Sequence, residues 1–192
     1  GLLYNADMNA YGHPDNNSWW KFDESGGTTW TLIGATDAGG VLSGTGALWQ
    51  NSTNGINSSS KSALRSGPID GTSIFSAVYV DVVHSYSFTP GSIGGSIKIT
   101  GTLGTPSVGG PGEAIFSGHG YDGPIDDNTN PLYTHPAFTA IHNPAPLYTT
   151  TIKVPGALVG GGFVVVFQAA SGSQSMANGG WLIDSVKVRG VL

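Results

Sequence analysis

Apolar and polar residues alternate at every second position in several short runs of this chain, the period of a half-buried strand. Residues 74–83 place Ile74, Val78, Val80 and Val82 on one face and Phe75, Tyr79 and Asp81 on the other. Ser96-Ile97-Lys98-Ile99-Thr100 alternates, and 148–154 turns Tyr148, Ile152 and Val154 to one side. Phe163-Val164-Val165-Val166-Phe167 is apolar on both faces, which predicts a central strand covered on each side or packed under a loop. No stretch of a dozen residues repeats apolar positions at helical spacing, and Gly or Pro interrupts most windows. With 29–33, 47–49, 114–116 and the two chain ends, the pattern predicts roughly eight to ten short strands. The fold class is therefore all-β, an antiparallel β-sandwich or jelly roll with little or no helix.

Two regions break the pattern. Residues 50–60 are rich in Asn and Ser and read as a polar surface loop, and 104–146 form a long irregular region holding most of the prolines, with His119, His135 and His142. Loops of that length in a compact domain serve a function or an interface. There is no internal repeat and no linker, so residues 1–192 are expected to form one domain. Charged residues are only 10% of the chain, but 39% are hydrophobic and five Trp, seven Tyr and seven Phe supply a core, which argues against disorder. The net charge of −5 with scattered basic residues excludes a nucleic-acid or anionic-membrane surface. Cysteine is absent, which removes disulfides and thiol chemistry. No apolar run is long enough to span a membrane, and the N-terminus lacks the regions of a signal peptide, so a chain beginning at Gly1 is expected to be processed or trimmed.

Both ends place acids in or beside apolar, strand-like segments: Leu2-Leu3-Tyr4-Asn5-Ala6-Asp7-Met8-Asn9 and Gly180-Trp181-Leu182-Ile183-Asp184-Ser185-Val186-Lys187-Val188-Arg189. A carboxylate held away from water needs hydrogen bonds, a counter-charge or a metal. The expectation is that first and last strands lie side by side, closed by a cation or by hydrogen bonds.

Asn5-Ala6-Asp7-Met8-Asn9 followed by Trp19 and Trp20, the closing Trp181-Leu182-Ile183-Asp184-Ser185-Val186-Lys187-Val188, and the penultimate hairpin of 148–154 and 163–170 carry a family likeness. The chain resembles the carbohydrate-binding modules of the galactose-binding-like jelly-roll superfamily, especially those for xylan and glucan. The resemblance implies a structural Ca2+ between the first and last strands, at Asn9 and Asp184 with Asp7 nearby. The family usually has Glu where this chain has Asn9, and one charge fewer weakens a calcium site. The alternative is that Asp184 is held by hydrogen bonds without a metal. The resemblance also implies sugar rings stacked on aromatics, for which the candidates are Trp19, Trp20, Trp49, Tyr79 and Tyr86, with Asn17, Gln50 and Asp81 as polar partners. Trp30 and Trp181 lie in strand patterns that suggest core, whereas adjacent Trp19 and Trp20 must point to opposite faces.

Residues 116–128 gather His119, Asp122, Asp126 and Asp127, but their spacing matches no metal motif and reads as a Gly/Asp turn cluster. Only Glu24 and Glu113 are glutamates, and neither a Gly-x-Ser-x-Gly elbow nor a phosphate loop is present. An enzyme is therefore not the expected class. The leading expectation is a non-catalytic extracellular or surface module binding carbohydrate. The alternative is a structural or decoration subunit of a virion, tail fibre, filament or cell-surface layer, a homo-oligomer or larger assembly contacting neighbouring protein subunits.

Overall fold

The computed structural model describes residues 2–7, 19–28, 30–34, 47–51, 55–70, 74–102 and 107–192, with backbone alone for 2–7, 32–34 and 47–51. The described residues form thirteen strands: β1 Leu2–Asp7, β2 Trp20–Ser25, β3 Trp30–Gly34, β4 Ala47–Asn51, β5 Lys61–Arg65, β6 Ala77–Ser87, β7 Ile93–Gly101, β8 Ile115–Gly118, β9 Gly123–Pro124, β10 Pro136–Ala137, β11 Tyr148–Lys153, β12 Phe163–Ser171 and β13 Gly180–Val191. One short 3-10 turn, Gly156–Leu158, sits between β11 and β12. Among the described residues no helix is long and apolar enough to cross a membrane. The all-β antiparallel expectation holds, with β2, β5, β9 and β10 added to it.

The larger sheet has seven strands in the order β3-β4-β13-β6-β11-β8, with β1 also paired to β13. The smaller has the order β2-β5-β12-β7. First and last strands are neighbours as expected, with Leu2 opposite Arg189 and Asp7 opposite Ser185. Along that same edge of β13, Trp181, Leu182 and Ile183 pair instead with Asn51, Gln50 and Trp49 of β4. The change of partner coincides with a register shift between Ile183 and Ser185 against β6, which leaves Asp184 as the extra residue. A bulge of one residue moves the two-residue period by one step. Trp181 and Ile183 before it, and Val186 and Val188 after it, thereby all enter the same core.

That core lies between the sheets. From β6 come Val78, Val80, Val82 and Tyr86, and from β12 Phe163, Val165 and Phe167, all at most 1% exposed. Trp181 packs edge-on to Phe167 at 5.6 Å and tilted against Trp30 at 5.9 Å. Side chains of this size each contribute about 1.5–3 kcal/mol on leaving water. Ile74 departs from the expected face: β6 begins only at Ala77, and Ile74 is 70% exposed.

β12 is buried at all nine positions, as its apolar run predicts. Its second face, Val164, Val166 and Ala170, is covered by Val108, Ile125, Leu132 and Ala137. Part of the irregular 104–146 region, through Val108 and the segment 125–137, is thus a third layer over the small sheet, while β8 within it joins the large sheet. Buried polar side chains stitch it down. Gln168 Oε1 accepts from Gly109 N–H at 2.9 Å, and Asn130 Nδ2 donates to the carbonyls of Ser92 (2.8 Å) and Ala170 (3.1 Å). Phe138 exchanges backbone hydrogen bonds with Gly95 of β7, which closes part of that edge.

Gly95 also lies flat beneath the Trp181 indole, where a Cβ would overlap the six-membered ring. Gly95→Ala should therefore cost about 1–3 kcal/mol through overpacking, read from urea denaturation. Gly120→Ala, facing open space, is the control expected to stay within about 0.5 kcal/mol.

Candidate functional site

The five aromatics singled out in the sequence do not share a face. Trp19 and Trp20 split as adjacent strand residues must: Trp19 is 4% exposed and packs on Phe167 at 5.7 Å, while Trp20 is 49% exposed on β2 with the Arg65 guanidinium 5.4 Å from its ring. Tyr86 is 1% exposed and cannot offer a ring to a surface ligand. Trp19 and Tyr86 are therefore corrected to core, because each points between the sheets. Trp49 stands on β4 opposite Ile183, and its side chain lies outside the described residues, as do Asn9 and Asn17. Tyr79 stands on the outer face of the large sheet, since Val78 and Val80 beside it point inward.

That outer face is organised around Asp81. Its Oδ1 accepts from Thr151 Oγ1 at 2.7 Å on β11, and its Oδ2 accepts from Arg189 Nε at 2.7 Å on β13. Arg189 Nη2 reaches Oδ1 at 3.4 Å, so the guanidinium is gripped on two sides. This hydrogen bonding raises the Arg189 pKa further. Thus held, the guanidinium lies 4.7 Å from the centre of the Tyr79 ring. The ring of Phe116, on edge strand β8, tilts against Tyr79 at 5.0 Å between centroids. The outcome is a row across the sheet: carboxylate, guanidinium, phenol, then a phenyl that is 57% exposed. Beside Phe116 runs a shallow groove of about 360 Å³ walled by Glu113, Ile115, Lys153 and Pro155.

Phe116 is absent from the sequence-based candidates. Its signal is alternation within a very short strand: Ile115 packs against the core, so Phe116 beside it must face outward. A large apolar ring on a polar face, followed by Ser117 and Gly118, is the pattern that identifies it.

At the end of the large sheet where β6 finishes and β11 begins, a polar cluster closes the sandwich. Trp181 Nε1–H donates to His84 Nδ1 at 3.0 Å, so the proton of neutral His84 sits on Nε2 and goes to Thr150 Oγ1 at 2.9 Å. Thr150 donates in turn to the His119 carbonyl at 2.7 Å. Burial, with His119 adding to it, pushes the His84 pKa down to about 3. The Tyr86 hydroxyl donates to Asp122 Oδ2 at 2.8 Å, which makes His119 Nε2 the donor to the Tyr86 oxygen at 2.6 Å. Burial and then Asp122 raise the Tyr86 pKa. The His119 ring stacks on Tyr148 with centroids 3.6 Å apart, and burial lowers its pKa.

Of the acids of 116–128, Asp127 holds a turn, as the sequence reading expects, whereas Asp122 accepts from the Tyr86 hydroxyl and from Thr139 N–H at 2.7 Å. Asp127 accepts from the backbone N–H and hydroxyl of both Thr129 and Ser173, bonds that hold its pKa well below the usual carboxylate range. Among the described residues no three His, Asp or Glu side chains converge as a metal site. Asp7 and Asp184 do lie on paired strands, since Asp7 faces Ser185.

No protein-family model and no curated protein matches the sequence. Solved structures do share its fold. The K1 cleaved adhesin domain of Lys-gingipain from Porphyromonas gingivalis W83 superposes with a TM-score of 0.52 at 13% identity, covering 90% of each chain. The K2 cleaved adhesin domain of Lys-gingipain gives 0.51 at 16% identity over 97% of this chain and 98% of that one. At these identities the likeness is one of fold, a jelly-roll-like β-sandwich.

The buried His84 sets an acid limit on the fold. Between pH about 6.5 and about 3 the unfolded chain binds a proton that folded His84 refuses, so stability falls as pH drops through that window, by about 1.4 kcal/mol per unit. Urea melts at pH 7 and pH 5 should differ by about 2 kcal/mol through this group. His84→Gln, able to accept from Trp181 and donate to Thr150, should remove that part of the difference. Identical pH dependence in both proteins would contradict it.

Proposed function

We propose that the chain is a non-catalytic surface module that binds polysaccharide on the open face of its large sheet, at an extracellular or cell-surface location. The observation that carries this reading is the exposed Phe116 ring, braced by Tyr79, Arg189 and Asp81. A pyranose presents an apolar C–H face rimmed by hydroxyls, and it suits a fixed aromatic ring with planar polar groups close by. Asp81 and Arg189 supply such groups, and because they are already locked together, with Thr151 donating to Asp81, a ligand has little side-chain freedom to freeze. The likeness of the chain ends to xylan- and glucan-binding modules supports the sugar. The adhesin domains that share the fold support a surface role.

A structural Ca2+ is part of the same proposal. Asp7 and Asp184, on paired strands at the β13 bulge, are suited to supply two of the six to eight oxygens that calcium takes, with backbone carbonyls for others. The metal would tie the first strand to the last. Chelation should then lower the melting temperature, since an ion bound only by the folded chain stabilises it by mass action. An unchanged melt would leave Asp184 held by hydrogen bonds alone.

The glycan reading is tested by pairing affinity with stability. Phe116→Ala should abolish retention on xylan or glucan while changing stability by no more than about 0.5 kcal/mol. Trp19→Ala should instead cost about 3–5 kcal/mol as a core deletion. Undiminished polysaccharide binding by Phe116→Ala would remove this face from the mechanism, and absence of binding to any glycan would shift the weight to the subunit-assembly alternative.

A further inference from the structure

Cations are scarce in this chain and unevenly placed. There are seven Lys and Arg against twelve Asp and Glu, yet three of the seven, Lys153, Lys187 and Arg189, project from the outer face that holds Tyr79 and Phe116. Register fixes their arrangement. Tyr79 is opposite Lys153 on β11 and opposite Arg189 on β13, while Asp81, two residues along β6, is opposite Lys187. Asp81 is neutralised by Arg189 through the short bond described above. Lys153 and Lys187 form no ion pair among the described residues, and both are exposed. Glu113, across the groove from Lys153, turns its carboxylate to the Ile99 backbone N–H, and burial raises its pKa. Asp7 on β1 is opposite Ser185, one same-face step from the Asn5–Lys187 pair, and its side chain lies outside the described residues. Among the described side chains, this face of an acidic protein therefore carries three cations around the half-buried Tyr79 and the exposed Phe116, and of the three only Arg189 is ion-paired, with Asp81.

We propose that the ligand of this face is an anionic polysaccharide of the uronic-acid class, with its carboxylates meeting Lys153 and Lys187 on the two strands that flank Tyr79. The inference rests on the glycan-binding reading and narrows it. With neighbouring strands about 4.8 Å apart, Lys153 on β11 and Lys187 on β13 stand at least about 10 Å apart on the two sides of β6. This is a sparse pattern, suited to one carboxylate per sugar with rings stacking between charges, and it lacks the dense cations that a heavily sulfated chain demands. A neutral polysaccharide gives the two lysines no partner.

The test uses the intact chain with three uronate polymers (polygalacturonate, alginate and hyaluronan), fully methyl-esterified polygalacturonate, dextran sulfate, polyglutamate, and neutral xylan and glucan. The expected result is Phe116-dependent binding to at least one uronate polymer, lost on methyl esterification and weakened by salt. The double variant Lys153→Gln, Lys187→Gln should bind that polymer about tenfold more weakly with an unchanged melt. Equal binding of the esterified and free polymers, or of the double variant and the wild type, would overturn the inference. So would tighter binding to dextran sulfate or polyglutamate than to any uronate polymer. If xylan or glucan binds in a Phe116-dependent way and no uronate polymer does, the charge inference falls while the glycan reading stands; if no polysaccharide binds, both fall.

Discussion

A single extra residue in the longest strand sets the geometry of this sandwich. β13 must bury Trp181 and Ile183 against the aromatic heart of the core and Val186 and Val188 against the aliphatic end. In a strand with strict alternation those two pairs would point to opposite sides of the sheet. The bulge at Asp184 reconciles them, and at the same point β13 exchanges β4 for β1 along its edge. One strand thus organises the large sheet, joining the N-terminal strand, the middle of the chain and its own C-terminal end.

The second constraint is β12, apolar on both faces. Its inner residues complete the core, and its outer residues oblige the chain to lay Val108 and the segment 125–137 over the small sheet. The cover is secured by Gln168, Asn130 and Asp127, polar side chains whose hydrogen-bonding capacity is spent on backbone and hydroxyl groups of the loop and its neighbours. Among the described residues, the outer face of the large sheet carries no such cover. This asymmetry directs the functional argument to Tyr79 and Phe116.

What the sequence made legible follows its physics. β6, β11 and β12 alternate strongly or are wholly apolar, and their facing was readable residue by residue, as were the burial of Trp30 and Trp181 and the pairing of the two ends. β5 escaped notice because Lys61-Ser62-Ala63-Leu64-Arg65 buries three central residues, two of them small, without alternation. β9 and β10 are two residues each and exist only because the loop packs down. At the candidate site, Tyr79 and Asp81 were visible from parity. Phe116 is harder to see, since its outward facing rests on alternation in a strand of only four residues and its contact with Tyr79 lies across the intervening strand β11. Tyr86 illustrates the reverse error: a tyrosine in an alternating strand resembles a platform until hydrogen bonds to Asp122 and His119 account for its hydroxyl.

The antiparallel pairing of β1 with β13 also has a mechanical side. Leu2 lies against Arg189, so the free ends of both strands emerge at the same end of the ladder. Tension applied to the two termini would load the outermost rung first and peel the strands apart like a zipper, each hydrogen bond failing in turn. A parallel arrangement would instead load all rungs together in shear. A module tethered by both its ends therefore yields first at this seam, whereas one tethered by one end and gripped on its open sheet face carries the load across β11, β6 and β13.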